Sequence, residues 1–278
     1  MMDQYPICIG KDKKITIIGG INVLDGIDEA VEIGMKFKEA CKKNQISYIF
    51  KASFDKANRT SFDSYRGPGL IKGLEMLKEI KRILKVPILT DIHEAFQSNE
   101  AAEVCDMLQL PAFLARQTDL IKSLAKTGKP INIKKPQFVS PEQIKFIVQK
   151  FSKFGCEDVV ICERGSMYGY NQQIVDIIGL QVIKEQTNKP VCVDITHALQ
   201  FRSESSSSSN GRRKYALNLA KAVTATSIDA LFIEAHQNPD FAKCDGPSAI
   251  PSNMIPEFID QVCEIDNLVK NQDIIQIE

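Results

Sequence analysis

The 278-residue sequence predicts one α/β domain spanning 1–278, a (β/α)8 TIM barrel with a short N-terminal hairpin. Three observations carry that expectation. Eight short, apolar, β-branched runs recur along the chain, and amphipathic stretches separate them. The first run ends in Gly19-Gly20-Ile21-Asn22, not in the G-x-G-x-x-G turn of an open dinucleotide-binding sheet. Strands alternating with helices bury both faces of a parallel sheet, and closing that sheet leaves no edge unpaired.

Taken in order, residues 1–14 hold Gly10-Lys11-Asp12-Lys13 between apolar flanks, the pattern of a small hairpin closing the barrel bottom. Strands are expected at 15–23, 47–53, 87–92, 107–112, 131–135, 159–164, 190–197 and 230–236. The clearest helix start is Ser140-Pro141-Glu142-Gln143, which offers an N-cap, Pro at the first helical position and a capping-box Gln. Its apolar face follows at Ile144, Ile147, Val148 and Phe151, and Gly155 ends it. Thr118 and Gly128 bracket another helix in the same way. Residues 202–213, after strand seven, include the run Ser205 to Ser209 and are too polar to pack a core. A solvated linker and a mobile loop over the site are the two readings, and the position after a barrel strand favours the loop.

With 44% hydrophobic and 25% charged residues, the chain can bury a large core. Thirty-five basic and 35 acidic residues cancel, so no global field recruits nucleic acid or a membrane surface, and any anion site is local. Eight Cys lack metal-knuckle spacing, and the opening Met-Met-Asp-Gln-Tyr-Pro has no basic or apolar leader region. Free thiols in a cytoplasmic protein are expected. No apolar run reaches the roughly 18 residues of a membrane span.

Barrel chemistry is done where strands end. The expected strand ends supply Asn22, Lys51, Asp91 with His93, Gln109, Lys134 with Lys135, Arg164, His197, and Glu234 with His236, so all three His of the chain fall in one ring. Lys51, Lys134 and Arg164 would point three cations into one mouth, which suits a multiply charged anion such as a phosphorylated carboxylate. Ion pairing with Asp91 and Glu234 is the competing reading. The loop Lys56-Ala57-Asn58-Arg59-Thr60-Ser61 gathers guanidinium, amide and hydroxyl donors for a second anion, or is merely solvated. Arg116 is either a phosphate ligand or a surface side chain.

At these residues the sequence resembles the 3-deoxy-D-manno-octulosonate 8-phosphate synthases. The matching stretches are Phe50 to Arg59, Gln109 to Thr118, Lys134 to Phe138, Asp194 to Gln200, Phe232 to His236 and Lys243 to Ser248, in register along essentially the whole chain. The resemblance implies condensation of phosphoenolpyruvate with D-arabinose 5-phosphate and water, giving the eight-carbon phosphosugar of lipopolysaccharide and inorganic phosphate. It implies that Lys51, Lys134 and Arg164, with Gln109, hold phosphoenolpyruvate. Asn58, Arg59, Thr60 and Arg116 from a neighbouring subunit of a homotetramer would hold the sugar phosphate, and Asp91 and Phe113 complete the binding set. Asn22, Lys56, His197, Glu234 and Asp245 would surround the reacting carbons. A Ser often stands in the family where this chain has Thr60.

Some members of that family use a divalent metal held by Cys, His, Glu and Asp. His197, Glu234 and Asp245 match three of those positions, but the fourth is Asn22, whose neutral amide is a far weaker ligand than a thiolate. No metal and no cofactor are therefore expected. Three rivals were weighed. A 3-deoxy-D-arabino-heptulosonate 7-phosphate synthase usually carries Lys-Pro-Arg-Thr in the sugar-phosphate loop, unlike Lys56-Ala57-Asn58-Arg59-Thr60. A Schiff-base aldolase would need Lys51 or Lys134 neutral. A non-catalytic phosphosugar sensor would lack the strand-end groups.

Overall fold

The structure is a computed structural model that describes residues 5, 7–10, 14–201, 210–273 and 275. The eight strands close on themselves: β1 Thr16–Val23, β2 Tyr48–Ser53, β3 Ile88–Asp91, β4 Met107–Leu110, β5 Ile131–Lys134, β6 Val159–Glu163, β7 Val191–Asp194 and β8 Ala230–His236. Each strand pairs in parallel with the next, and β8 returns to β1 through Thr16↔Ala230 to Gly20↔Glu234. Between and after them run α1 Ile27–Asn44, α2 Leu70–Leu84, α3 Gln97–Val104, α4 Thr118–Ala125, α5 Ile144–Lys153, α6 Ile177–Thr187, α7 Ala216–Thr224 and α8 Ile255–Lys270. The barrel expected from the sequence is the barrel observed. Among the described residues no helix is long and apolar enough to cross a membrane.

Alternation of side chains along each strand divides the core in two. Ile17, Phe50, Ile88, Leu108, Ile131, Ile161 and Leu231 face outward onto the helices. Ile18, Ile49, Leu89, Met107, Val160, Cys192 and Phe232 fill the barrel interior, and Ile7 and Ile9 pack against that inner group. Ile7 and Ile9 thus cap the inner core of the barrel. The hairpin turn expected in the N-terminal segment falls mostly outside the described residues, and residues 7–10 take no strand pairing.

Strand starts were read to within one residue, but several strands end earlier than expected, for local reasons. β4 stops at Leu110 because Pro111 has no N–H for the ladder. β7 stops at Asp194, three residues short of His197, because the Asp194 carboxylate accepts from the Thr196 and His197 amides at 3.1 and 2.9 Å and turns the chain there. α5 begins at Ile144, not next to Ser140. Glu142 takes the Ser140 hydroxyl that would have capped the helix, and Gln143 N–H closes a turn on the Ser140 carbonyl at 3.1 Å. The expected apolar face of α5 is buried, and Gly155 follows it at φ +86°. Of the tract expected as a loop at 202–213, residues 202–209 lie outside the described residues. Their flanks, Gln200–Phe201 and Asn210–Gly211, pair antiparallel as a short ribbon.

The amino ends of three strands share one device that sequence reading missed. Asp106 Oδ2 accepts the Ile88 amide at 3.0 Å, Asp229 Oδ2 the Val191 amide at 2.8 Å, and Asp266 Oδ2 the Ile15 amide at 2.8 Å. Lys81, Lys184 and Lys270 neutralise these carboxylates at 2.7, 3.1 and 2.6 Å. Each clamp ties a strand start to a helix. Asp106→Ala should cost about 3–5 kcal/mol, because it strands a buried ammonium and an amide together. Urea unfolding measures this, and a loss below about 1 kcal/mol would show the clamp to be dispensable.

Candidate active site

β1 carries a bulge between Gly20 and Val23, where its register against β2 shifts. The two strands approach so closely that a Cβ on Gly20 would lie 2.1 Å from the Lys51 carbonyl oxygen, so only glycine fits. The bulge turns Asn22 toward β8, where its amide Nδ2 donates to Glu234 Oε2 at 2.5 Å and to Asp245 Oδ2 at 3.1 Å. Asp245 reaches the same point from a left-handed turn at φ 53°, a conformation Asp tolerates better than most residues.

A cavity of about 790 Å³ opens over these carboxyl ends. Twelve of the fifteen residues expected from the sequence line it: Lys51, Lys56, Asn58, Arg59, Thr60, Asp91, Gln109, Phe113, Lys134, Arg164, His197 and Asp245. Asn22 and Glu234 are buried beneath and join the wall through Asp245 and Lys51. Arg116 stands apart, exposed on the surface, and among the described residues only its backbone carbonyl is engaged, by Lys150 at 3.1 Å. Two other strand-end residues leave the mouth. His236 turns outward to Glu29 at 3.2 Å, and buried Lys135 points away to Glu163 at 3.3 Å. The ring of three His is therefore a pair, His93 and His197.

The electrostatics correct the expectation of three cations awaiting an anion. Lys51 Nζ sits 2.9 Å from Glu234, 3.0 Å from Ser53 Oγ and 3.9 Å from Asp91. Burial, with Lys56 nearby, pulls its pKa down despite Glu234 and Asp91. Lys134 is in close contact with Asp194 and lies 3.2 Å from the centre of the Phe232 ring. Burial would lower the Lys134 pKa, but Asp194 outweighs it and the ammonium is held charged. For Lys56, burial is likewise outweighed by Asp91 and Glu234, so its pKa is raised. Ion pairing with Asp91 and Glu234 thus holds for Lys51 alone of the three strand-end cations, while Lys134 pairs instead with Asp194. Arg164 is different: among the described residues no carboxylate lies within ion-pair distance, and its guanidinium donates instead to Gln173 Oε1 at 2.8 Å and Gln200 Oε1 at 3.1 Å.

Asp194 was missed because strand seven was expected to run past it. It accepts His197 Nδ1 at 2.7 Å, which leaves Nε2 facing Glu234 at 3.5 Å and Asp245 at 3.9 Å. Burial alone would raise the Asp194 carboxyl, but His197 and Lys134 hold it well below the usual range. Asp91, which accepts from Ser53 and lies 3.1 Å from His93, is likewise held well below by Lys56 and Lys51 against its burial. Gln109 Oε1 accepts from buried Asn132 at 2.8 Å, so its own NH2 is left for the cavity. The site combines fixed cations, amide donors and an anchored imidazole. It is built to hold a multiply charged anion and to move protons beside it.

Residues 1–271 match the model of the DAHP synthetase I family. The chain is 48% identical over 284 residues, covering 100% of both chains, to the 2-dehydro-3-deoxyphosphooctonate aldolase of Vibrio atlanticus (strain LGP32). It is 49% identical over 284 residues, again 100% of both, to that of Aliivibrio fischeri (strain MJ11). A third relative of the same name, from Parasynechococcus marenigrum (strain WH8102), is 47% identical over 272 residues, 98% of this chain and 96% of the other.

The depressed Asp91 and Asp194 carboxyls set an acid limit. Their contribution to stability is complete above the unfolded carboxylate value of about 3.9 and drains away as pH falls through their lower folded values. Urea midpoints should be flat from about pH 7 to 5 and fall steeply below about pH 4, with a shallower fall for Asp194→Asn. An equal slope in that variant would detach Asp194 from the acid limit.

Proposed function

The chain belongs to the DAHP synthetase I family, and we propose that it condenses phosphoenolpyruvate with D-arabinose 5-phosphate and water to 3-deoxy-D-manno-octulosonate 8-phosphate and inorganic phosphate. The observation that carries this reading is one cavity holding two anion-binding regions: Lys51, Lys134, Arg164 and Gln109 at the strand ends, and the 56–60 loop beside them. The first suits the phosphate and carboxylate of phosphoenolpyruvate. Asn58, Arg59 and Thr60, with Phe113 in the same lining, suit the phosphosugar. Exposed Arg116 reaches no part of its own cavity, which supports its delivery to a neighbouring subunit's sugar phosphate in a homotetramer. Cys41, Cys105, Cys156, Cys162, Cys192, Cys244 and Cys263 are free thiols, in keeping with a reducing cytoplasm.

The chemistry follows from the arrangement. C3 of phosphoenolpyruvate attacks the sugar aldehyde, whose oxygen takes a proton, and the Lys56 ammonium, which lines the cavity and is held charged by Asp91 and Glu234, is the group assigned to supply it. Positive charge develops at C2, water adds there and gives up one proton, and the tetrahedral centre then collapses: the C2–O bond to phosphate breaks, phosphate leaves with its electron pair and the second water proton, and C2 becomes the ketone. Water must surrender a proton, and His197 Nε2 with Glu234 and Asp245 forms the accepting group. The enol is a weak nucleophile, so alignment of both substrates by fixed cations supplies much of the rate.

The family includes enzymes that hold a divalent metal at the positions of Asn22, His197, Glu234 and Asp245. Here the Asn22 amide points its hydrogens at both carboxylates, where a cation would need to sit between them. These residues do not fit a metal, and the reaction is metal-independent. Phosphate release from phosphoenolpyruvate should depend on arabinose 5-phosphate, run at least tenfold faster with it than with erythrose 4-phosphate by rough expectation, and persist after exhaustive chelation. A complete loss restored by metal would overturn the metal-free assignment. Asn22→Cys should retain a divalent ion through gel filtration, read by elemental analysis.

A further inference from the structure

The strand-end cations are held in two ways. Lys51 and Lys134 rest on carboxylates, whereas Arg164 rests on two neutral amide oxygens, Gln173 Oε1 and Gln200 Oε1. A guanidinium only donates, so each glutamine must turn its oxygen to Arg164 and its NH2 away. Neither NH2 has a partner among the described residues, and both side chains line the cavity.

The support beneath Gln173 is built for this contact. Gly165 lies under it at φ +95°, and a Cβ there would come within 2.8 Å of Gln173 Oε1 and 3.0 Å of its Cβ, displacing the oxygen that Arg164 uses. Arg212 donates to the Gln173 backbone carbonyl at 3.2 Å, so the loop after β6 is tied to the segment after the ribbon. Gln200 enters from that ribbon, whose partner strand is Asn210–Gly211. Three segments therefore converge on one guanidinium without neutralising it.

We propose that Gln173 and Gln200 are positioning and specificity-determining residues for the phosphoenolpyruvate end of the site. They orient Arg164 while leaving its charge for the substrate anion, and they add two amide donors around that anion. A glutamate at either position would hold the guanidinium at least as well, yet would cancel its charge and repel the ligand. The proposal rests on the reading that Arg164 binds phosphoenolpyruvate.

The test is steady-state phosphate release with each substrate varied separately, for Gln173→Glu, Gln200→Glu and Arg164→Ala, with thermal unfolding of each. Each Glu variant should keep its Tm and raise the KM for phosphoenolpyruvate by about tenfold or more, with the KM for arabinose 5-phosphate within about twofold of the parent. A purely structural contact would be preserved by glutamate. Glu variants with the parent KM, beside an Arg164→Ala that raises it, would overturn the proposal and leave the Arg164 reading standing. An Arg164→Ala with unchanged KM for phosphoenolpyruvate would remove both. A lowered Tm with both KM values raised would point to general distortion and also overturn it.

Discussion

Charges buried in a closed barrel must be paired, and that requirement organises both ends of this molecule. An isolated ammonium or carboxylate costs several kcal/mol to bury, so each is placed with a partner. At the amino ends the pairing is closed: Asp106 gives one oxygen to Lys81 and the other to the Ile88 amide. At the carboxyl ends it is open. Lys51 is shared among Glu234, Ser53 and the Asn22 carbonyl, and buried Asn22 Oδ1, Arg59 Nη1 and His93 Nδ1 have no hydrogen-bond partner among the described residues. Unspent hydrogen-bonding capacity gathers where a ligand enters, which is how a barrel separates its stable face from its reactive one.

Pairing at the mouth does more than offset burial. Because Lys51 and Lys134 already lean on Glu234 and Asp194, they are held in place before any anion arrives. The same carboxylates reach His197, so a change of charge at the lysines is felt at the imidazole through Asp194 and Glu234. Arg164, held by amides, differs from Lys51 and Lys134 in having no carboxylate within ion-pair distance among the described residues.

Much of this was legible in the sequence, for physical reasons. Strand starts follow from β-branched runs after turn residues, and twelve of fifteen expected site residues line the cavity because strand ends must face one mouth. What escaped depended on geometry with no local pattern. Asp194 was hidden because its own carboxylate stops the strand that was expected to continue to His197. Gln173 lies in a loop without a periodic signal, and its role appears only when the fold sets it over Gly165. His236 was placed in the ring by strand register, but at the end of β8 its side chain turns to Glu29 on α1. The 56–60 loop was legible as a cluster of donors, and Arg116 as either a phosphate ligand or a surface side chain.

Asn22 shows how one side chain ties the two halves of the site together. A negatively charged ligand at that position would stand against Glu234 and Asp245 and would need a cation between them. The amide instead brings two hydrogens to those carboxylates and leaves its oxygen unpartnered toward the buried side of the site. Glu234 in turn holds Lys51 at 2.9 Å and stands 3.5 Å from His197 Nε2. The Glu234 carboxyl stays ionised despite its burial because His197, Lys51 and Lys56 surround it. The carboxylate that touches both Lys51 and His197 is thus itself held by a neutral amide, not a thiolate, in the bulge of β1.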